Sequence, residues 1–263
     1  MAVLAVLTVA FAIWAWGGSD SGDDDGDARD RMSATTEASP TAPTTTLRPG
    51  TEDEPLRILV AGDSLMGWIA PALEDELADA PVEVIDDWKG STGLARPDYF
   101  DWPARLAEDV ATHDPDVVIV GFGGNDTQPL TTPGGVITRD DPAWQVEYQR
   151  RVAEVLDAVE GPGRTLWWVG LPLTERDNIE ALRPAIAGAV RAELADRPWT
   201  RFVDSLQVLA PDGTYQVTLP GPDGEPVRVR ADDGVHPSPG GGRMLVASFV
   251  DDLRDERGLS PAG

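Results

Sequence analysis

Two histidines, His113 and His236, are the only imidazoles in this chain of 263 residues, and it has no cysteine. A thiol nucleophile, thiolate metal ligation and disulfides are thereby excluded. Any imidazole base comes from one of two positions. The stretch VAGDSLMGW, residues 60–68, offers a hydroxyl. Ser64 follows an apolar run and precedes a helix-like stretch at 65–79. Gly62 permits a sharp turn out of the run, and a helix N-terminus favours developing negative charge. A serine before a helix is also a common N-cap, so Ser64 alone decides nothing. A hydroxyl is a poor nucleophile until a base takes its proton.

The stretch ADDGVHPSPGG, residues 231–241, supplies that base. Asp233 and His236 are three residues apart in a turn that leads into a helix, a spacing that brings carboxylate and ring within reach. Such a carboxylate holds an imidazole in one tautomer and stabilises its cation during proton transfer. In GFGGND, residues 121–126, Asn125 follows an apolar strand on a glycine-lined loop, where its amide could donate to an oxyanion. It could equally be an asparagine in a tight turn. WKGSTGL, residues 88–94, is a second glycine-bearing loop, in which the backbone N–H of Gly93 or Gly90 is a further donor. Asp63 and Asp126 are expected to brace these loops. Trp68, Trp88, Tyr99 and Trp102 cluster around the first two loops and could stack on a sugar ring or pack inward. Arg96 beside them could bind a substrate carboxylate, but a surface ion pair is the expected role.

The elements that must position these residues alternate. Apolar strand candidates lie at 56–62, 82–87, 116–122, 164–172 and 201–205, with helix-like stretches at 65–79, 101–111, 142–159, 177–195 and 239–255. Nearly continuous apolar strands between helices predict a parallel sheet covered on both faces. Residues 206–230 break the rhythm with two Asp-Gly turn signals and predict a β-hairpin excursion. Chemistry in such folds gathers at the carboxyl ends of the strands. Ser64, the loop 89–93, Asn125 and the Asp233–His236 pair all fall at that edge. His113 precedes the third strand, and Trp167 and Trp168 lie within the fourth, so none of the three is assigned to the site.

The four stretches, in this order, resemble the SGNH, or GDSL-type, esterase and lipase superfamily. GDSL at 62–65 matches the first family block, GSTG at 90–93 the second, GGND at 123–126 the third and DGVH at 233–236 the fourth. The resemblance covers about 56–255. It implies a three-layer α/β/α sandwich, flavodoxin-like, with a five-stranded parallel sheet. It implies a catalytic triad of Ser64, Asp233 and His236, and an oxyanion hole made by the Ser64 and Gly93 amides and the Asn125 side chain. It implies no metal and no organic cofactor. Block two usually has an asparagine upstream of its glycines; here Asp86, Asp87 and Trp88 occupy that region. The wider phrasing, STGLARPDYFDWP and DDGVHPS, resembles an exported or membrane-tethered bacterial branch related to proteins that add or remove acyl groups on polysaccharides.

The flanks agree with export. Residues 1–16 are apolar throughout, with the length of a signal-peptide core or a short anchor, though no basic residue comes before Arg29. Residues 17–55 are acidic, then rich in Ser, Thr and Pro, and read as a disordered tether. The folded domain is expected over 56–257, with a tail at 258–263. A net charge of −25 excludes a nucleic-acid partner and argues against anionic lipid. The expected activity is a serine esterase that removes short acyl groups, acetyl above all, from an extracellular carbohydrate or cell-wall ester. Trp68, Trp88 and Trp102 are its substrate-binding candidates. The alternatives are an acyltransferase acting on a polysaccharide or peptidoglycan, and a non-catalytic carbohydrate-binding wall module.

Overall fold

The computed structural model describes residues 47–259. The apolar segment 1–16, most of the tether and residues 260–263 lie outside the described residues. The strands are β1 (Leu56–Gly62), β2 (Val82–Trp88), β3 (Val117–Gly121), β4 (Leu130–Thr132), β5 (Gly135–Ile137), β6 (Thr165–Val169), β7 (Thr200–Val203), β8 (Thr218–Pro220) and β9 (Pro226–Arg228). The α-helices are α1 (Ile69–Glu76), α2 (Trp102–His113), α3 (Ala143–Val159), α4 (Asp177–Glu180), α5 (Arg183–Ala195), α6 (Ser205–Leu209), α7 (Pro239–Ala247) and α8 (Val250–Arg257).

Five strands form a parallel sheet in the order β2-β1-β3-β6-β7. Successive side chains on a strand point to opposite faces, and here both faces are apolar. Leu59, Val118, Val120 and Trp168 face one core, shared with α2, α3 and α5. Ile58, Val60, Val117, Ile119 and Trp167 face the other, shared with α1, α7 and α8. Trp168 meets Phe122 edge to face and Trp167 stacks on Phe249, so the adjacent tryptophans anchor opposite layers. This is the three-layer α/β/α sandwich that the alternating pattern predicts. The expected excursion is present as the antiparallel pair β8–β9, entered through α6.

Three expected helices are shorter than their patterns, and each break has a local cause. A continuous helix from residue 65 would need an N–H from Pro71, which has none. The chain instead makes a single 3-10 turn, Ser64–Met66, and starts α1 afresh at Ile69. Pro184 likewise cannot donate back to Glu180, so α4 ends and α5 restarts with that proline in its first turn. Between α7 and α8 the Ser248 hydroxyl donates to the Leu245 carbonyl at 2.6 Å, competing with the helical ladder.

The domain also extends beyond its expected limits. Residues 47–55 belong to it, because Arg48 reaches across the amino ends of the strands. Its Nε donates to Asp116 at 3.0 Å, its Nη2 also bonds that carboxylate, and its Nη1 donates to the Glu54 carbonyl at 2.9 Å. At the other end Leu259 is buried in the second core. Arg48→Ala is expected to lower unfolding stability by about 1–2 kcal/mol, since charge-assisted hydrogen bonds are lost at a partly buried site. A urea melt of the full chain would show a lower midpoint with an unchanged slope; an unchanged midpoint would mean that the segment merely rests there.

Candidate active site

The carboxyl ends of β1 and β3 lie side by side, with Gly62 paired to Gly121. Gly62 has φ +136°, and a Cβ there would stand 2.2 Å from the Gly121 carbonyl oxygen, so only glycine lets the chain turn out of β1 here. Asp63 follows, and its carboxylate, not the Ser64 hydroxyl, caps the 3-10 turn by accepting from the Leu65 N–H at 2.9 Å. The Ser64 hydroxyl is thereby left for another partner. Its Oγ lies 2.7 Å from Nε2 of His236. The N–H groups of Val235 and His236 both donate to Oδ1 of Asp233, at 2.9 and 3.0 Å, and fold this tight loop. That leaves Oδ2 of Asp233 2.6 Å from Nδ1 of His236. Burial raises the Asp233 pKa, but the His236 amide and ring and the Val235 amide outweigh it and hold the carboxyl down at about 2.

Two buried carboxylates tie the remaining loops together. Asp63 is 0 % exposed and accepts from the N–H groups of Gly123 and Gly124, at 3.0 and 2.9 Å, as well as Leu65. Burial pushes its pKa up to about 7 against the pull of those amides. Asp126 accepts from the Ala95 N–H at 2.8 Å and from the Tyr148 hydroxyl at 2.8 Å. Burial raises its pKa too, opposed by the Ala95 and Leu94 amides and by Tyr148. The side-chain amide of Asn125 donates to the Thr92 carbonyl at 2.9 Å, which joins it to the loop that carries Gly93. Gly93 itself packs on Asp126, where a Cβ would fall 2.2 Å from Oδ1.

That contact makes a prediction. The Asp126 carboxylate is pinned on several sides, so in Gly93→Ala the loop must move. Misplacement by about 1 Å can lower a rate about a hundredfold, and a fall of that order in kcat on an ester substrate is expected. Full activity in the variant would show that the Gly93 amide does not face the reaction.

The structure brings together Ser64, His236 and Asp233 in one line, and Asn125 and Gly93 on adjoining loops. His113 ends α2 at the opposite side of the sheet, away from them. Trp68 and Trp88 are 43 % and 42 % exposed beside the Ser64 turn, Trp88 lying against Gly67. Trp102 is a correction: it is 1 % exposed, its ring meets Phe100 and Phe122 edge to face, and its Nε1 donates to Thr92 Oγ1. A stacking platform must offer a face, and Trp102 offers none; it supports the Gly93 loop from beneath. Arg96 pairs with Asp98 on the surface through two hydrogen bonds, at 2.8 and 2.7 Å.

Several contributors escape the motifs. Arg151 is buried on α3 and donates to the Leu94 and Thr131 carbonyls, fixing the loop behind Gly93. Glu175 donates its N–H to the Gly234 carbonyl at 2.8 Å, and Arg176 Nη2 donates to the Asp233 carbonyl at 3.1 Å, so the segment after β6 clasps the Asp233–His236 loop. The only advance signal was Tyr148 and Arg151 standing on the apolar stripe of their helix. Among the described residues, no group of three or more His, Cys, Asp or Glu side chains is arranged to hold a metal ion.

A family model described as a protein of unknown function, DUF459, matches residues 57–252. No curated protein matches the chain. Solved structures do. An aryl esterase from M. smegmatis aligns with TM-score 0.54 and 17 % identity, over 76 % of this chain and 99 % of its own. An acetylxylan esterase from Geobacillus stearothermophilus, solved as a catalytic mutant, aligns with TM-score 0.53 and 17 % identity, over 83 % and 99 %. A GDSL-like lipase from Bacteroides thetaiotaomicron aligns with TM-score 0.51 and 15 % identity, over 80 % and 92 %. At these identities the shared property is the fold, that of SGNH/GDSL hydrolases.

Proposed function

The chain belongs to the DUF459 family of proteins of unknown function, and from the site within the matched region we propose that it is a serine esterase of the SGNH type. The observation that carries the reading is the line from Asp233 through His236 to Ser64, with contacts of 2.6 and 2.7 Å. His236 takes the Ser64 proton as Oγ attacks an ester carbonyl. The Ser64 and Gly93 amides and the Asn125 side chain hold the oxyanion; one such donor is typically worth about 3–4 kcal/mol of transition-state stabilisation. Protonated His236 then gives its proton to the leaving alcohol, and Asp233 steadies the imidazolium throughout. Water, activated by the same imidazole, releases the acid from the acyl-enzyme.

The substrate in this reading is a short acyl ester, acetyl above all, on an extracellular carbohydrate or cell-wall polymer. Exposed Trp68 and Trp88 beside the nucleophile support a sugar-bearing ester, since an aromatic face suits the apolar side of a sugar ring. The likeness in fold to an acetylxylan esterase is consistent with this. Export belongs to the same reading and rests on the apolar segment 1–16 and the acidic, Ser/Thr/Pro-rich tract that follows. An acyltransferase would use the same residues and differ only in letting a sugar hydroxyl replace water.

The test uses the full chain with p-nitrophenyl acetate and butyrate and with a fluorophosphonate probe. Turnover of acetate ahead of butyrate, and labelling of Ser64, are expected in the wild type and in His113→Ala. A chain inert to both esters and to the probe would have no activated serine, and the binding-module reading would replace this one.

A further inference from the structure

The loop that carries Gly93 also borders a cavity of ≈160 Å³, open to solvent, whose lining includes Ser91, Gly93, Arg96, Tyr99 and Gln128. We propose that this cleft is a saccharide subsite, which holds the alcohol half of the ester while Ser64 works on its acyl half. The proposal rests on the esterase reading and deepens it by assigning the sugar half of the ester to a cleft apart from Trp68 and Trp88.

Position is the first argument. Gly93 lines the cleft, and the Thr92 carbonyl that receives the Asn125 amide belongs to the same wall. Of the oxyanion donors Gly93 alone lines the cleft, so a group held here lies beside that amide. Polarity is the second. A guanidinium, a phenol, an amide, two hydroxyl-bearing residues and the Asp126 carboxylate line the space, and an alkyl chain would gain nothing from replacing water there. A ring that carries several hydroxyls returns the hydrogen bonds of the waters it displaces, about five of them at ~30 Å³ each.

Preorganisation is the third. Arg96 is held by its two bonds to Asp98, and the Tyr99 N–H donates to the Arg96 carbonyl at 2.9 Å, so the Arg96 guanidinium and the backbone of the turn are set before any ligand arrives. Nη1 of Arg96 has no partner among the described residues and remains available to a ligand. Tyr99 is 63 % exposed, a large ring left in water beside the site. Such a ring is rigid and amphipathic, and gains contact area at little conformational cost. Ser91, at the edge of the cleft, has φ 61°, one of two non-glycine residues with positive φ among those described. This backbone conformation is uncommon for a side-chain-bearing residue and collects at ligand-binding segments.

The experiment compares mono-O-acetylated methyl glucoside with p-nitrophenyl acetate on the full chain. The readout is the ratio of the two kcat/KM values. Tyr99→Ala is expected to lower that ratio at least tenfold, mainly through KM of the glucoside, and Arg96→Gln to lower it severalfold. Tyr99→Phe, which keeps the ring, should retain most of the preference. In a Ser64→Ala background, saturable binding of the same glucoside, read by calorimetry, should weaken at least tenfold with Tyr99→Ala. A ratio and an affinity that ignore both substitutions would overturn the subsite, even in an active esterase. A wild type inert to p-nitrophenyl acetate would instead sink the esterase reading, and the binding arm would still decide the subsite.

Discussion

Alanine at position 64 is expected to lower kcat/KM for p-nitrophenyl acetate by about 10⁵- to 10⁶-fold while the protein stays folded. The magnitude follows from how serine triads behave. Removing the nucleophile costs nearly as much as removing all three members, and the oxyanion donors alone leave a small residual rate. The fold survives for a reason visible in the turn itself. The Leu65 N–H is capped by Asp63, so losing the Ser64 hydroxyl disturbs no helix end. What disappears is one hydrogen bond to His236, worth about 1 kcal/mol. Steady-state kinetics beside a thermal melt checks both halves. More than about one per cent of wild-type activity in a contamination-free preparation would mean that another group attacks the ester.

The second large effect is expected at Asp233. In Asp233→Asn, the Oδ1 that accepts from Val235 and His236 has a direct equivalent, so the loop keeps its shape. The atom facing Nδ1 of His236, at 2.6 Å, becomes an amide nitrogen that donates. Nδ1 must then accept, which moves the ring proton to Nε2 and deprives Ser64 of its base. Tautomer reversal of this kind is worth about 10⁴-fold in kcat, with KM much less affected. The variant should also lose a pH signature. Asp233 has its pKa lowered from 3.8 to about 2 in the folded state. Its contribution to stability is therefore present above about pH 4 and is lost as pH falls toward 2. That contribution is modest, because the carboxylate is nearly half exposed. Acid unfolding of Asp233→Asn should begin from a lower baseline and slope less through that window. A kcat within tenfold of wild type would remove Asp233 from the mechanism.

Legibility in the sequence varied with the range of the interactions involved. Asp233 and His236 lie three residues apart and their contact is local, so the pair could be read directly. Ser64 and Asn125 were legible because strands near-continuous in apolar residues declare a parallel sheet, which puts their trailing loops at one edge. The cap by Asp63 was harder, since Asp and Ser are both good caps and only the packed turn separates their roles. The helix breaks at Pro71 and Pro184 were available from proline chemistry, but the apolar periodicity ran through them. The β4–β5 hairpin around Pro133-Gly134 was also signalled, and went unread between two stronger elements. Trp102 illustrates a different limit. Its spacing puts it near the site loops, and only three-dimensional packing shows that it lies below them. Arg48 was hidden by composition, because a Ser/Thr/Pro-rich stretch reads as solvated while its partner Asp116 lies 68 residues away.

That Arg48 clamp gives the domain a mechanical polarity. The clamp is at the amino ends of β1 and β3, and the Ser64–His236 pair is at their carboxyl ends, one strand away, about 20 Å for the seven residues of β1. A load applied through the N-terminal side of the chain meets Arg48 and Asp116 before it reaches any strand carrying a reacting group. The first described residues therefore join the domain at the edge of the sheet opposite the mouth of the site.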